Sequence, residues 1–366
     1  MEPITHLLTG ACLARAGLNR TSAMATTTLV LAAEAPDIDV VAELGGRVFG
    51  FANHRGITHT LVGVPAVAAL VLLFVWILWR IRSRSRARNT QDRVDVAHHR
   101  GGTPRWGVLF ALACLSGLVH ILLDFTNSYG VRPFMPFQNQ WFSWDIVFIY
   151  EPVMWVVLVI GLLAPVLFGL VDREIGARRP KSRGRIGAVI ALVLVVGMWM
   201  VRDYQHRRAL AAMDALTYQG QNAVSMAAYP YPGNPFRWYG VVETNSFFQR
   251  MIVDSRTPEV DPQGLASIRY KPEETPVTEA AKSSYLGRVY LDWAHYPIVE
   301  VEQLEAPQPG YVVRFLDLRY MYPDSKRTFL RGWVQLDTNL NVVAQSFGVR
   351  DSERNGRSVS GVSGQQ

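Results

Sequence analysis

Residues 106–125 read WGVLFALACLSGLVHILLDF, and this stretch decides the fold of the first half of the chain. It carries no charged residue before Asp124, and its other strongly polar side chain is His120. A helix of this length extends about 30 Å, the thickness of the hydrocarbon core of a membrane. We therefore predict a membrane-spanning helix that ends in a histidine and an aspartate.

Three further apolar runs are long enough, or nearly so, to cross a membrane: 60–81, 147–171 and 186–201. Two shorter segments, 4–17 and 21–35, precede them, and helices of these lengths reach only about 21–24 Å. We expect these two segments to form a hairpin. The fold class predicted for residues 1–205 is an α-helical integral membrane domain with about four spanning helices plus a short N-terminal helical hairpin.

After residue 205 the pattern becomes that of a soluble domain. Residues 206–235 are predicted as a linker or helical extension. Residues 236–350 alternate β-branched and aromatic side chains between turn residues, which predicts a small antiparallel β-rich domain. Residues 351–366, ending Ser-Val-Ser-Gly-Val-Ser-Gly-Gln-Gln, are predicted to be a disordered tail.

The composition averages over these two parts. The 366 residues are 49% hydrophobic and only 18% charged, whereas a soluble domain carries about 25% charged residues. This excludes dominant disorder, a collagen-like chain and a single small soluble domain. Cys12 and Cys114 lie in apolar segments and support neither a disulfide framework nor a zinc ribbon. The N-terminus lacks a basic region, so no cleavable signal peptide is expected.

The net charge of +7 is best explained by topology. Arginines concentrate in two loops, at 80–105 and 172–185, and loops rich in arginine remain in the cytoplasm. Nucleic-acid binding is an alternative explanation, but the topology accounts for the arginines without such a partner. This orientation predicts that the C-terminal domain is extracytoplasmic.

With that orientation, ionisable residues from several segments collect at the outer ends of the helices. Imidazoles and carboxylates bind zinc or manganese, and ionisable groups at membrane depth are usually functional. A spacing of four places His120 and Asp124 on one helix face. We predict a site for one or two divalent ions, zinc in the first place and manganese or iron as alternatives. The predicted metal ligands are His6, Asp37, His54, His59, His120 and Asp124.

Each of these residues alone has a simpler interpretation. A histidine near a helix end is usually an interfacial hydrogen-bonding group, and Asp37 and Asp39 could cap a turn after Pro36. Arg55 could bind a phosphate oxygen bidentately or form a salt bridge with one of the acidic residues. The convergence of several segments on one side favours the metal site.

The motifs together resemble the YdjM-like membrane-bound metal-dependent hydrolases of bacteria over residues 1–205. The family commonly has aspartate at the position of Glu151. The resemblance implies a hydrolase of the bacterial inner (cytoplasmic) membrane, and His120 with Asp124 is the element most similar to zinc phospholipase C and S1-type nucleases. The matching motifs are Ile4-Thr5-His6, Pro36-Asp37-Ile38-Asp39, His54-Arg55-Gly56-Ile57-Thr58-His59-Thr60, His120-Ile121-Leu122-Leu123-Asp124, Tyr129-Gly130-Val131-Arg132-Pro133-Phe134, Phe142-Ser143-Trp144-Asp145 and Glu151-Pro152.

The chemistry expected of such a site is phosphoester cleavage. Two ions about 3.5–4 Å apart can clamp a phosphodiester and generate hydroxide; Asp124 or Asp37 would bridge them. The candidate catalytic residues are Asp39, Arg55 and Glu151, with Asp39 either a third carboxylate ligand or the group that orients a histidine. The expected substrate is lipid-like or lipid-linked. The alternatives are a metal-binding transporter or sensor, or a scaffold, without hydrolysis.

Overall fold

The computed structural model describes residues 1–90, 103–174, 183–323 and 330–349. The predicted tail at 351–366 lies outside the described residues. The chain divides into two compact units. The first consists of Met1–Asp39, Arg55–Tyr204 and Tyr231–Pro235; the second consists of Val40–His54, Gln205–Pro230 and the residues from Phe236 onward.

The first unit is helical. The predicted hairpin is present as its first two helices, and long helices follow. In chain order the helices are α1 (Pro3–Arg15), α2 (Ala25–Glu34), α3 (Arg47–Asn53, which belongs to the second unit), α4 (Gly63–Thr90), α5 (Trp106–Phe125), α6 (Pro152–Glu174) and α7 (Arg183–Asp214, whose end belongs to the second unit).

Three stretches of helix among the described residues are long and apolar enough to cross a membrane: Gly63–Arg84, Trp106–Phe125 and Gly184–Asp214. The fourth predicted span corresponds to α6, whose apolar part, Pro152–Phe168, is shorter. Helix α6 begins five residues later than predicted, at Pro152, since proline favours the first helical position. The predicted class of a helical membrane domain followed by a β-rich domain is confirmed.

Close packing aligns α1, α2 and α5. A Cβ added at Gly10 of α1 would lie 2.8 Å from the Cβ of Ala33 and 2.9 Å from the oxygen of Leu29, so only glycine permits this approach to α2. On α5, the Ser116 hydroxyl donates to the same Leu29 oxygen at 2.7 Å. The start of α1, the end of α2 and the end of α5 are thereby brought to one place.

The second unit contains two sheets. One has the strand order β1-β2-β3-β4, with β5 paired to β3, and the other has the order β6-β7-β8-β9 with antiparallel neighbours throughout. The elements are β1 (Ser225–Tyr231), β2 (Asn234–Glu243), β3 (Phe247–Asp254), β4 (Glu259–Val260), β5 (Ser267–Tyr270), α8 (Pro276–Lys282), α9 (Tyr285–Trp293), β6 (Pro297–Leu304), β7 (Gly310–Asp317), β8 (Gly332–Leu336) and β9 (Val342–Phe347).

Two segments differ from the predicted organisation. The region predicted as a linker or helical extension, 206–235, does continue the helix, as the end of α7, but it also holds strand β1 and the start of β2. Residues 40–54, predicted within the membrane domain, belong to the second unit because Phe51 of α3 stacks on Phe347 at 4.0 Å and meets Trp293 edge-on at 5.3 Å. Both partners are far away in sequence, so periodicity along the chain does not reveal this packing.

Candidate metal centre

Helix α5 supplies two side chains of the centre from adjacent turns. The Nε2 atom of His120 lies 3.4 Å from Oδ2 of Asp124, as the spacing of four predicts, and both residues are buried. The Nδ1 atom of His120 lies 2.6 Å from the main-chain oxygen of Ala33. Because a carbonyl oxygen only accepts, Nδ1 carries the hydrogen and Nε2 presents its lone pair.

His59 approaches from the 3₁₀ turn Ile57–His59 that precedes α4. Its Nδ1 atom lies 3.4 Å from Oδ2 of Asp39, which also accepts a hydrogen bond from the main-chain nitrogen of Arg55 at 2.7 Å. The carboxylate of Asp39 therefore favours the hydrogen on Nδ1 and leaves the Nε2 lone pair for the centre. Burial lowers the pKa of His59 to about 3, so the ring is neutral at pH 7.

Asp37 completes the group from the 3₁₀ segment Ala35–Gly45 that follows α2. Its Oδ1 atom lies 3.3 Å from Nε2 of His59 and 3.6 Å from Nε2 of His120. Asp37 is partly exposed, with a quarter of its side chain accessible, whereas the other three residues are buried. One donor atom from each of these four residues lies within 4.8 Å of the other three.

The spacing of these four atoms fits a tetrahedral metal site. Metal–ligand bonds of about 2.1 Å place neighbouring ligands of a tetrahedron about 3.4 Å apart. The two Nε2 atoms of His59 and His120 are 3.1 Å apart, and Nε2 of His59 lies 3.3 Å from Oδ2 of Asp124. Four donor atoms define six pairwise distances, which are the edges of the tetrahedron. Five of these distances, including those given above, measure 3.1–3.6 Å.

The chemical nature of the four donor atoms also fits a metal site. Two imidazole lone pairs and two carboxylate oxygens face one another, and Oδ2 of Asp124 is buried without a hydrogen-bond partner among the described residues. Such a group is costly to bury unless a cation compensates it. The residues present therefore fit a divalent ion with nitrogen and oxygen ligands.

His6 lies beside this group. Its ring stacks on that of His120 with centroids 3.7 Å apart, and its Nε2 atom is 3.4 Å from Oδ1 of Asp124. Within the described part of the chain, neither buried ring nitrogen of His6 has a hydrogen-bond partner. His6 thus contacts the second oxygen of Asp124 rather than joining the four converging atoms.

Arg55 forms a salt bridge with Asp124. Its Nη2 atom donates to Oδ1 of Asp124 at 2.7 Å, where the Met1 amino group also makes an ion pair. Nη1 donates to the oxygen of Gly130 at 2.9 Å and to Oδ1 of Asn127 at 3.3 Å. Of the two alternatives for Arg55, these contacts favour the pair with an acidic residue over the phosphate ligand.

Two predicted site residues do not belong to this converging group. His54 ends α3 and belongs to a segment of the second unit; it is not among the four converging side chains. Glu151, predicted to be catalytic, is buried in a salt bridge, with Oε2 2.7 Å from Nη2 of Arg202, and it accepts a hydrogen bond from Gly233 at 3.1 Å. These partners account for a structural carboxylate.

The groups that hold Arg55 and His120 in position were not predicted from the sequence. Asn127 and Gly130 fix Arg55, and Ala33 fixes the tautomer of His120 through its main-chain oxygen. A main-chain oxygen has no sequence signature. Arg202 did carry a signal, because it is a charged residue directly after the apolar run 186–201.

Comparison with known proteins agrees with this division of the chain. The family described as YdjM inner membrane protein matches residues 1–209, and the YfhP C-terminal alpha/beta plait domain matches residues 276–358. The uncharacterized protein YfhP of Bacillus subtilis is 23% identical over 289 residues, which are 78% of this chain and 74% of that protein. No solved structure matches.

Proposed function

Because the chain belongs to the YdjM family of inner membrane proteins, we propose that it is a membrane-bound, metal-dependent hydrolase. Its substrate is a phosphoester of a lipid or lipid-linked molecule. The observation that carries the proposal is the group of Asp37, His59, His120 and Asp124, whose donor atoms lie at tetrahedral spacing. Two imidazoles and two carboxylates suit zinc first, with manganese or iron as alternatives.

Hydrolysis requires an open position, whereas four protein ligands close a tetrahedral site. Asp37 is the ligand that can open it, because it lies on a 3₁₀ segment and is the partly exposed member of the group. When bound, zinc at such a site activates water near neutral pH and polarises a phosphoryl oxygen. Arg55 balances the charge of Asp124 throughout and keeps that carboxylate in place.

Glu34 is the candidate proton donor for the leaving group. It lies one helical turn before Asp37, and its Oε1 atom is buried without a hydrogen-bond partner among the described residues. Burial, and then repulsion from Asp37, raise the pKa of Glu34 to about 7. A carboxyl group whose pKa is raised by burial holds its proton to a higher pH than an exposed one and can transfer it to a leaving group.

The surroundings of the ligands support a lipid-like substrate. Ile38, Ile57 and Leu61 neighbour Asp37 and His59 in sequence, and about half of each of these apolar side chains is exposed. Exposed apolar side chains beside a polar centre suit a substrate that arrives within the membrane rather than from water. The phosphoester would then meet the ligands at the membrane–water interface.

The side of the membrane follows from the arginine-rich loops. We place the centre and the C-terminal unit on the extracytoplasmic side, since both loops at the opposite helix ends are cytoplasmic under the positive-inside rule. A cysteine at Ser143 should react with a membrane-impermeant maleimide added outside intact cells. A cysteine at Ser85 should react only after lysis, and the reverse pattern would overturn this topology.

A second function is metal binding without hydrolysis, as in a scaffold or sensor. The observation that favours it is that four protein atoms fill the tetrahedral positions, as in structural zinc sites. The two functions differ at Asp37. A hydrolase with an opening ligand should retain much of its metal and measurable turnover in Asp37→Ala, because three protein ligands and an open position remain. A purely structural site should show no turnover in wild type or in this variant.

The test combines metal analysis with turnover of bis-p-nitrophenyl phosphate on the same purified samples. Wild type should contain stoichiometric transition metal and release nitrophenol. Glu34→Gln should keep the metal and lose most of the turnover. Absence of the metal from wild type would refute the centre itself, and metal without turnover of phosphoesters, including lipid phosphoesters in mixed micelles, would favour the binding function.

A further inference from the structure

An apolar groove of about 450 Å³ runs between α6 and α7. On α6 its lining extends from Val157 to Phe168, and on α7 from Ile186 to Leu194. Every lining residue is apolar, and the outward ones, such as Phe168 and Ile190, are more than half exposed. The groove belongs to the first unit and shares no residue with the candidate metal centre.

Small residues at the floor create this groove. A Cβ added at Gly161 would lie 2.5 Å from the Cβ of Ala191, and one added at Gly187 would lie 2.7 Å from the oxygen of Gly161. The two backbones therefore touch at the floor, while larger side chains on either side form the walls. The volume lies within the usual range for ligand sites.

The length of the groove matches one membrane leaflet. From Val157 to Phe168 an α-helix rises about 16 Å, which is close to half of the hydrocarbon core of about 30 Å. One acyl chain of that leaflet fits along it. The groove ends near the start of α7, next to the arginine-rich helix ends.

Two arginines lie at this end. A Cβ added at Gly184 would lie 2.8 Å from Nε of Arg15, and one added at Gly17 would lie 3.2 Å from Nε of Arg185, so both guanidinium groups flank the start of α7. Arg185 directly precedes Ile186 of the groove. Among the side chains that the structure describes, neither arginine has an ion-pair partner.

We propose that this groove binds an anionic phospholipid, with one acyl chain between α6 and α7 and the phosphodiester head group on Arg15 and Arg185. The apolar lining alone would accept any chain, and the two guanidinium groups select the negative charge. A helix from a second copy of the chain would pack on the apolar walls but would leave both arginines without a counter-charge. This lipid site is independent of the proposed hydrolase activity.

The test measures lipid binding to the delipidated, detergent-solubilised full chain by native mass spectrometry. Phosphatidylglycerol and phosphatidylcholine with the same acyl chains are titrated separately. Wild type should prefer phosphatidylglycerol, and the double variant Arg15→Gln/Arg185→Gln should bind it at least about tenfold more weakly. Arg80→Gln on α4 removes the same charge elsewhere and should leave binding unchanged.

A second variant addresses the acyl chain. Ile190→Trp adds bulk within an exposed part of the groove and should weaken both lipids, while circular dichroism verifies the fold. Equal binding of the two lipids in wild type, or unchanged binding in the double variant, would overturn the proposal. A shift from dimer to monomer in Ile190→Trp, without any change in lipid binding, would instead assign the groove to a second copy and would also overturn it.

Discussion

Two buried ionic clusters of the membrane unit differ in whether the chain itself completes them. Around Glu151, Arg202 supplies a guanidinium at 2.7 Å and Gly233 an N–H at 3.1 Å. Around Asp37 and Asp124, the two histidines present lone pairs, because their Nδ1 hydrogens point to other acceptors. The chain itself completes the first cluster, whereas in the second the Oδ2 atom of Asp124 stays buried without a hydrogen-bond partner among the described residues and faces two imidazole lone pairs, an arrangement that a divalent ion would fit.

The largest effect is expected from Asp124→Ala. This carboxylate contacts three histidines and Arg55, so its loss removes a candidate metal ligand and the carboxylate that Nη2 of the buried Arg55 pairs with. We expect complete loss of bound metal, measured by inductively coupled plasma mass spectrometry, together with a lower melting temperature in detergent. Stoichiometric metal in this variant would mean that the two clusters do not differ in the way described.

Arg202→Leu should also lose stability but, unlike Asp124→Ala, it should retain the metal. Removal of one partner of a buried pair costs about 3–5 kcal/mol because Glu151 would stay buried without its counter-charge. Thermal unfolding followed by circular dichroism measures the loss, and Arg80→Leu on the surface of α4 is the matched control. A second change, Glu151→Leu, should restore part of the stability, whereas metal loss in folded Arg202→Leu would contradict the separation of the clusters.

The third prediction concerns the residue that orients His59. Asp39→Asn keeps the size of the side chain but removes the negative charge that attracts the Nδ1 hydrogen of His59. Loss of such a carboxylate–histidine interaction typically lowers metal affinity about 10–100-fold. Competition with a chelator of known affinity measures the change. An unaltered affinity would show that the turn at Ile57–His59 positions the ring by itself.

The smallest effect is expected from His54→Ala, compared directly with His59→Ala. The two histidines are five residues apart in one motif, yet of the two His59 is the one whose donor atom converges with those of Asp37, His120 and Asp124 among the described residues. His59→Ala should lose the metal, and His54→Ala should retain the wild-type amount. Equal losses in both variants would place His54 in the centre after all.

The sequence predicts well what depends on local spacing. The hairpin, the α5 span and the placement of His120 above Asp124 follow from hydropathy and helical periodicity, and the ends of the segments bring Asp37 and His59 to the same layer. Pairings between distant residues could not be predicted this way. Glu151 has the position of a family carboxylate, but Arg202, 51 residues later, decides its role. Phe51 likewise shows its partners only in the folded chain.

Proline at position 36 has a consequence for proton placement. In the 3₁₀ segment that follows α2, the residue at 36 would normally donate its N–H to the oxygen of Ala33, three residues earlier. Proline has no N–H, so that oxygen remains available and accepts from Nδ1 of His120 instead. A Pro36→Ala change would introduce a competing donor. With no donor at position 36, the oxygen of Ala33 serves the Nδ1 hydrogen of His120, and Nε2 of that ring is left to face the other donor atoms.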